Sequence, residues 1–226
     1  MFGYDNSTNT YKVVVFDYDI DGEVKVFSFG DNVWRNIQNL PVAARRLTTV
    51  CKDSRIYGGV HFSSTVNWVT TNSDDNVYQV LIFSLDLGTE TYTQLLPPPG
   101  YENVARVISN VCVLTNMFCF YHDFEGTDFV IWKMEEFGNE KSWSQIFKFS
   151  YQNLGMNKKF EHGPLRLTLK PLHLSENHDT VVLANNLEDR AFLYNWRTNR
   201  AKKTRIIKEM RWFSMNDYVE SLVSIS

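Results

Sequence analysis

The 226-residue sequence lacks what several protein classes require. No apolar run approaches the ~20 residues of a membrane-spanning helix, and Met1 leads straight into polar FGYDNSTNT, with neither the basic nor the apolar stretch of a secretory leader. The expected setting is therefore cytoplasmic or nuclear, with no membrane partner. Neither sign of charge is in large excess. A net charge of −3 supplies no global field to hold nucleic acid or anionic lipid, so no nucleic-acid partner is expected. Cysteine is scarce and odd in number, and Cys51, Cys112 and Cys119 offer no CxxC pair, which argues against both a disulfide framework and a zinc finger. No two of the five histidines stand at HxxxH or HxH spacing. There is no GxSxG elbow, and Gly58-Gly59 lacks the GxxxxGK[ST] context of a phosphate loop. On these grounds no catalytic residue, metal site or cofactor is assigned.

Aromatic residues, by contrast, are abundant. They make up 15% of the chain, and their flat rings pack well on a pleated sheet. Between Thr10 and Arg205, short runs rich in Val, Ile, Phe, Tyr and Thr alternate with Asn, Asp, Gly and Ser, the pattern of strands and turns. YKVVVFDYDIDGEVKVFSF reads as a hairpin about Asp21-Gly22, and YQVLIFSLDLGTETYTQL as another about Gly88. In DFVIWKMEEFGNEKSWSQIF, Gly138-Asn139 would fall mid-helix, so strand, turn, strand is the better reading, with DFVIWKM buried on both faces. VWRNI at Trp34, TYTQL at Tyr92 and SWSQI at Trp143 recur at intervals of about 50 to 60 residues. A fourth unit, TVVLANN, AFLYNW and KKTRII, keeps the order without a closing aromatic. The expected fold is all-β: a propeller-like array of about four antiparallel meander units in a single domain, 1–226, forming a short ring or an incomplete one, with a sandwich as the alternative. LPVAARRLTTVCKDSR is the expected non-β piece, and LLPPPG a rigid connection.

Most local constellations have a plain structural explanation. Asp17, Asp19 and Asp21 open like a calcium loop, but the position that needs a bidentate carboxylate is Ser28, and a hairpin turn already accounts for them. Cys112 and Cys119 in VCVLTNMFCF read as buried thiols. His61 and His173 fall in strand-like runs, His122 and His178 at turns, and His162 in a loop. RTNRAKKTR, 197–205, reads as a solvated outer strand whose lysines discourage sheet-to-sheet aggregation. One pattern points outward. The turns between second and third strands, DYDIDGE, TNSDDN, HDFEGTD and NNLED, would emerge at one end of a meander array, and all are acidic. The expected protein-binding rim is Asp17, Tyr18, Asp19, Asp74, Asp75, Tyr101, Asp123, Phe124, Glu125, Glu188 and Asp189, its three rings anchoring a basic segment of a partner.

Six stretches in order carry a family likeness. GYD at Gly3 to Asp5 with YKVV, then VKVFSFGDNVWRNI, GGVHFSSTVNWVT, IFSLDLGTETYTQLLPP, VIWKMEEFGNEKSWSQIF and the final YVESLVS resemble the F-box associated domain of plant F-box and F-box/kelch-type proteins. The resemblance covers almost the whole chain. It implies a propeller-like, non-catalytic protein-interaction domain that holds the protein substrate of an SCF-type ubiquitin ligase in ubiquitin-dependent degradation. It implies, too, that a Skp1-type adaptor is bound only in full-length relatives, through an N-terminal F-box that this sequence does not contain. Two other readings stand beside it: an F-box-less decoy competing with intact receptors, and a propeller-fold hydrolase or lyase with acids and histidines converging on its inner strands.

Overall fold

Runs of β-branched and aromatic residues, broken by turns that need left-handed backbone, pair into four antiparallel sheets in the computed structural model, which describes residues 1–16, 22–41, 59–74, 77–101, 109–124, 127–156, 169–185 and 190–205. The first sheet is β1 Phe2–Asp5, β2 Thr10–Phe16, β3 Val24–Ser28 and β4 Val33–Asn36; the second is β5 Val60–Phe62, β6 Thr65–Asp74, β7 Val77–Asp86 and β8 Tyr92–Leu95. The third is β9 Ser109–Leu114, β10 Met117–Phe124, β11 Asp128–Met134 and β12 Trp143–Ser150; the fourth is β13 Leu169–Leu174, β14 Thr180–Asn185, β15 Arg190–Asn195 and β16 Arg200–Arg205. Each is a simple meander in chain order, as the repeat predicts. The turns obey local chemistry. Ser63-Ser64 joins β5 to β6 with φ of 50° and 61°, and Thr115-Asn116 joins β9 to β10 with φ of 46° and 59°, the two-residue geometry that matches strand twist. Gly138, at φ 89°, turns β11 toward β12 ahead of a 3₁₀ turn, Glu140–Ser142, capped by Asn139. The hairpin reading of that stretch therefore holds.

The sheets stack face to face in sequence. β1 lies against β5, β5 against β9 and β9 against β13, so the first strands line the inside of an arc. At the first of these contacts a methyl on Gly3 would stand 2.7 Å from both His61 Cδ2 and Leu87 Cδ1, so bare backbone lets β1 approach. Three apolar cores fill the gaps. Val14, Val24 and Val26 meet Val66, Trp68, Leu81, Phe83 and Leu85 between the first and second sheets. Val69, Val80, Ile82 and Leu95 meet Val111, Phe118, Phe120, Met134 and Trp143 between the second and third. Cys119, Tyr121, Phe129, Ile131, Phe147 and Phe149 meet Val181, Leu183, Phe192 and Tyr194 between the third and fourth. Successive residues of β7 and β10 thus serve opposite cores. This is why their sequences are continuously apolar rather than alternating, and why Phe129, Val130 and Ile131 are all buried. Among the described residues no core joins the fourth sheet to the first, and no sheet closes on itself.

Backbone contacts between sheets are latched by side chains. The proline segment after β8 is held to the third sheet by Trp143 Nε1–H donating to Leu96 O at 3.1 Å, while Leu96 N donates to Glu140 Oε1 at 2.6 Å. Cys112 and Cys119 are register partners, both buried and free, and burial pushes the Cys112 thiol well up. β16 is the edge of the fourth sheet, with Lys202 and Lys203 exposed, as the outer-strand reading of RTNRAKKTR requires. LPVAARRLTTVCKDSR lies almost wholly outside the described residues.

Candidate protein-binding surface

At the third sheet the end that carries the acidic turns is described almost completely. β10 and β11 pair as far as Phe124 and Asp128, and Thr127 closes the hairpin by donating both its N–H and its hydroxyl to Phe124 O at 3.0 Å. The same hydroxyl lies 2.9 Å from Asp128 Oδ2. Phe124, the last residue of β10, lies on the face that carries buried Phe118, Phe120 and His122 and is itself 41% exposed, with Lys148 Nζ 4.9 Å from its ring centre. A phenyl ring on an otherwise polar tip, carrying a cation on one face, is a fitting contact for a protein partner.

The rim residues separate on inspection. Asp74 is the last paired residue of β6, opposite Val77, so the TNSDDN stretch is mostly strand and only residues 75 and 76 lie between the arms. Asp17, Tyr18, Asp19, Asp75, Glu125, Glu188 and Asp189 lie outside the described residues. Two members are internal, against expectation. Tyr101 is 4% exposed, its ring 5.1 Å from Phe120 and 4.3 Å from His122, because the segment after the proline connection folds back over the gap between the second and third sheets. It packs the core and cannot anchor a partner. Asp123 is 9% exposed and accepts from Tyr151 Oη at 2.7 Å, which fastens the 3₁₀ turn Tyr151–Leu154 to β10.

His122 also differs from expectation: it lies within β10, 4% exposed, rather than at a turn. Trp132 Nε1–H is a donor only, so its 3.3 Å contact makes His122 Nε2 the acceptor and leaves the proton on Nδ1, 3.3 Å from Asp123 O. Burial, helped by Lys148, pulls its pKa down to about 4 against the opposing pull of Asp123, so the ring is neutral at pH 7.

The opposite end holds the other polar cluster. Lys12, 3% exposed, reaches across from β2 to the second sheet, with Nζ 2.5 Å from Leu87 O, 3.1 Å from Asp5 Oδ2 and 3.4 Å from Glu90 Oε1. Asp5 is fully buried, and accepts from Ser7 N at 2.9 Å, Ser7 Oγ at 2.7 Å and Thr8 Oγ1 at 2.6 Å. Burial alone would raise its pKa, but the bonds from Thr8, Ser7 and Lys12 outweigh that and hold its carboxyl far below the ordinary value. Beside it an open recess of about 520 Å³ is lined by Asp5, Asn6, Ser7, Ser64, Asp86, Gly88 and Thr89. Asp86 Oδ1 is likewise engaged, by the N–H groups of Gly88 and Thr89 at 2.8 Å. Both carboxylates therefore hold turns. On the inner strands, His61 Nε2 lies 2.9 Å from Tyr4 O. Among the described residues no three His, Cys, Asp or Glu side chains are grouped to hold a metal ion, and no helix is long and apolar enough to cross a membrane.

The chain is thus a stack of four antiparallel four-stranded meanders, the second and third tied by Trp143 and Glu140 to the backbone of Leu96. The family model described as F-box associated beta propeller domain matches residues 1–225. The chain belongs to this family. An F-box/kelch-repeat protein of Arabidopsis thaliana is 27% identical over 150 residues, which are 64% of this chain and 38% of that protein. The F-box protein CPR1 of the same plant is 25% identical over 199 residues, 81% of this chain and 46% of that protein. The F-box associated chain thus spans less than half the length of these curated relatives. A solved structure of a protein from Lactobacillus plantarum matches 91% of the chain and 58% of its own length at 14% identity, with a TM-score of 0.38.

Two features of the site escape sequence reading. The Lys12–Asp5 knot joins residues that look like ordinary strand and turn positions. The outer face of the first sheet carries exposed Phe2, Phe29 and Trp34. The second was legible in principle, since Phe2 and Tyr4, Tyr11 and Val13, and Phe27 and Phe29 each stand two apart.

Proposed function

We propose that this F-box associated domain is a non-catalytic protein-binding module that serves as the substrate-recognition part of an SCF-type ubiquitin ligase, working in the cytoplasm or nucleus. The observation that carries the reading is the family match across residues 1–225. The domain contributes proximity alone: a rigid stack of sheets presents loops that hold a target while other subunits transfer ubiquitin to it. In full-length relatives a Skp1-type adaptor is engaged by the F-box, outside this domain. The acidic tips containing Asp17, Tyr18, Asp19, Asp74, Asp75, Glu125, Glu188 and Asp189, with Phe124 as the exposed ring, contact a basic segment of the target. The engagement of Asp5 and Asp86 in turn bonds supports binding over catalysis, because neither is left as a free acid or base.

Proximity labelling in the source tissue tests both parts. The wild-type domain is expected to mark a discrete set of proteins bearing basic segments. The Asp74→Lys, Asp75→Lys variant is expected to lose them through slower, less salt-sensitive association. An unchanged set with unchanged salt dependence removes the rim, and labelling no richer than that of an unrelated β-protein removes the module.

A further inference from the structure

The hairpin of β9 and β10 carries two cysteines directly opposite each other. Cys112 pairs with Cys119, so both side chains leave the hairpin on one face, the face that packs toward the fourth sheet. Opposed Cα atoms in an antiparallel pair stand about 4.5 to 5.5 Å apart, within the roughly 4.4 to 6.8 Å that a disulfide spans. The backbone can stay where it is while the sulfurs join. The register is also firm, because a slip of one residue would exchange the faces of Cys119 and Tyr121 with those of Phe118 and Phe120, which serve different cores.

The two sulfurs differ in setting. Cys119 is fully buried, whereas Cys112, on the strand that lines the arc, is 4% exposed and is the one nearer solvent. Burial raises the Cys112 thiol well above its ordinary value, its hydrogen bond to Cys119 adds to the rise, and the Lys170 ammonium of β13 opposes it. Thiolate is therefore scarce, so attack on an oxidant is slow, and an oxidant little larger than water is favoured over a bulky alkylating agent. The step that follows is fast, because the second sulfur already stands in place.

We propose that Cys112 and Cys119 are a redox site, at which a peroxide joins the two sulfurs inside the folded chain and staples β9 to β10. The Cys112 thiolate attacks one peroxide oxygen, the O–O bond breaks, and the leaving hydroxide takes a proton and departs as water. Cys119 then attacks the sulfenic sulfur, the S–O bond breaks, and a second water leaves with the Cys119 proton. Two electrons pass from the sulfurs to the peroxide. β10 runs on from Cys119 to the exposed ring of Phe124, so the staple also steadies the strand that supports that tip.

Trypsin leaves both cysteines, and no other, in the peptide 107–133. The test treats the native full chain with excess hydrogen peroxide, unfolds it in urea with N-ethylmaleimide, and weighs the digested peptide and its fragments, so that oxygen added at Met117 is told apart from oxygen on sulfur of cysteine. The peptide is expected to lack two hydrogens and to take up no maleimide. In Cys119→Ser, dimedone present during oxidation is expected to tag Cys112, because no second thiol removes the sulfenic acid. The amide hydrogens of 117–124 are expected to exchange at least about tenfold more slowly in the oxidised chain than in the reduced one. A peptide that still takes up two maleimides, under conditions that oxidise the urea-unfolded chain, overturns the inference. So does sulfinic acid on either cysteine in place of the disulfide, which would mean that the sulfurs cannot meet in the fold, and unchanged amide exchange removes the staple's hold on β10.

Discussion

Replacing Lys12 with methionine tests whether the first two sheets are held by a buried ionic knot. Lys12 Nζ serves three acceptors, Asp5 Oδ2 at 3.1 Å, Leu87 O at 2.5 Å and Glu90 Oε1 at 3.4 Å, and is 3% exposed. Methionine fills most of the volume but leaves the Asp5 carboxylate fully buried without its cation. Removing one partner of a buried pair costs about 3–5 kcal/mol. Asp5 keeps its donors from Ser7 and Thr8, so the low end, about 3 kcal/mol, is expected, or a fall in Tm of about 6–12 °C for a domain this size. Adding Asp5→Asn removes the stranded charge, and the double variant should cost less than the two single ones together, with coupling above about 1.5 kcal/mol. The pH dependence carries a sign. A carboxyl depressed in the folded state contributes stability that is present above its ordinary value of 3.8 and is lost as pH falls below it. Without Lys12, burial is opposed only by the bonds from Thr8 and Ser7 and the folded value lies nearer the ordinary one, so less stability should be lost as pH falls below 3.8. The assay is thermal and urea unfolding followed by circular dichroism, in a full cycle at pH 7 and at about pH 3, below the ordinary carboxyl value. A Lys12→Met protein within about 1 kcal/mol of wild type, with coupling under about 0.5 kcal/mol, would refute the reasoning.

Other predictions concern other cores. His122 has its pKa lowered to about 4 by burial, so the unfolded chain binds a proton first; stability should fall by up to about 3 kcal/mol as pH drops from 6.5 to 4, and His122→Gln should flatten that slope in urea titrations. The latches should each be worth about 1 kcal/mol: Tyr92→Phe removes one donor, to Gln38 O, with little change of volume and should cost about that much, while Trp143→Phe also leaves a gap in the core between the second and third sheets and should cost more, and unfolding midpoints will read both losses. Cys112 and Cys119 should resist iodoacetamide in the native protein, so mass spectrometry should find at most one of the chain's three cysteines labelled until denaturant is added.

Much of the architecture was legible because its causes are local. Asp-Gly and Gly-Asn turns, continuous apolar runs in strands covered on both sides and a recurring aromatic each leave a mark within a few residues, and the four meanders follow from them. What failed depended on chain distant in sequence. TYKVVVF reads as a half-exposed strand, and nothing near Lys12 reveals that Leu87, 75 residues away, supplies a carbonyl for it. Tyr101 follows three prolines and reads as a surface ring, yet the fold-back after β8 carries it onto Phe120 and His122. His122 looked like a turn residue because HDFEG is polar, whereas β10 extends through it by pairing with Val130 and Ser109 on either side.

The same distinction explains why the aromatic repeat was visible while its purpose was not. Trp34, Tyr92 and Trp143 are side chains and leave a pattern, but the acceptors at Gln38 and Leu96 are backbone carbonyls, which any residue supplies. A latch with a sequence-neutral acceptor can grip any sheet that arrives with the right geometry. Identity is then enforced by the apolar rows around it and not by the hydrogen bond. That places the specificity of sheet order in core residues such as Phe83 and Phe120, each of which packs against a neighbouring sheet.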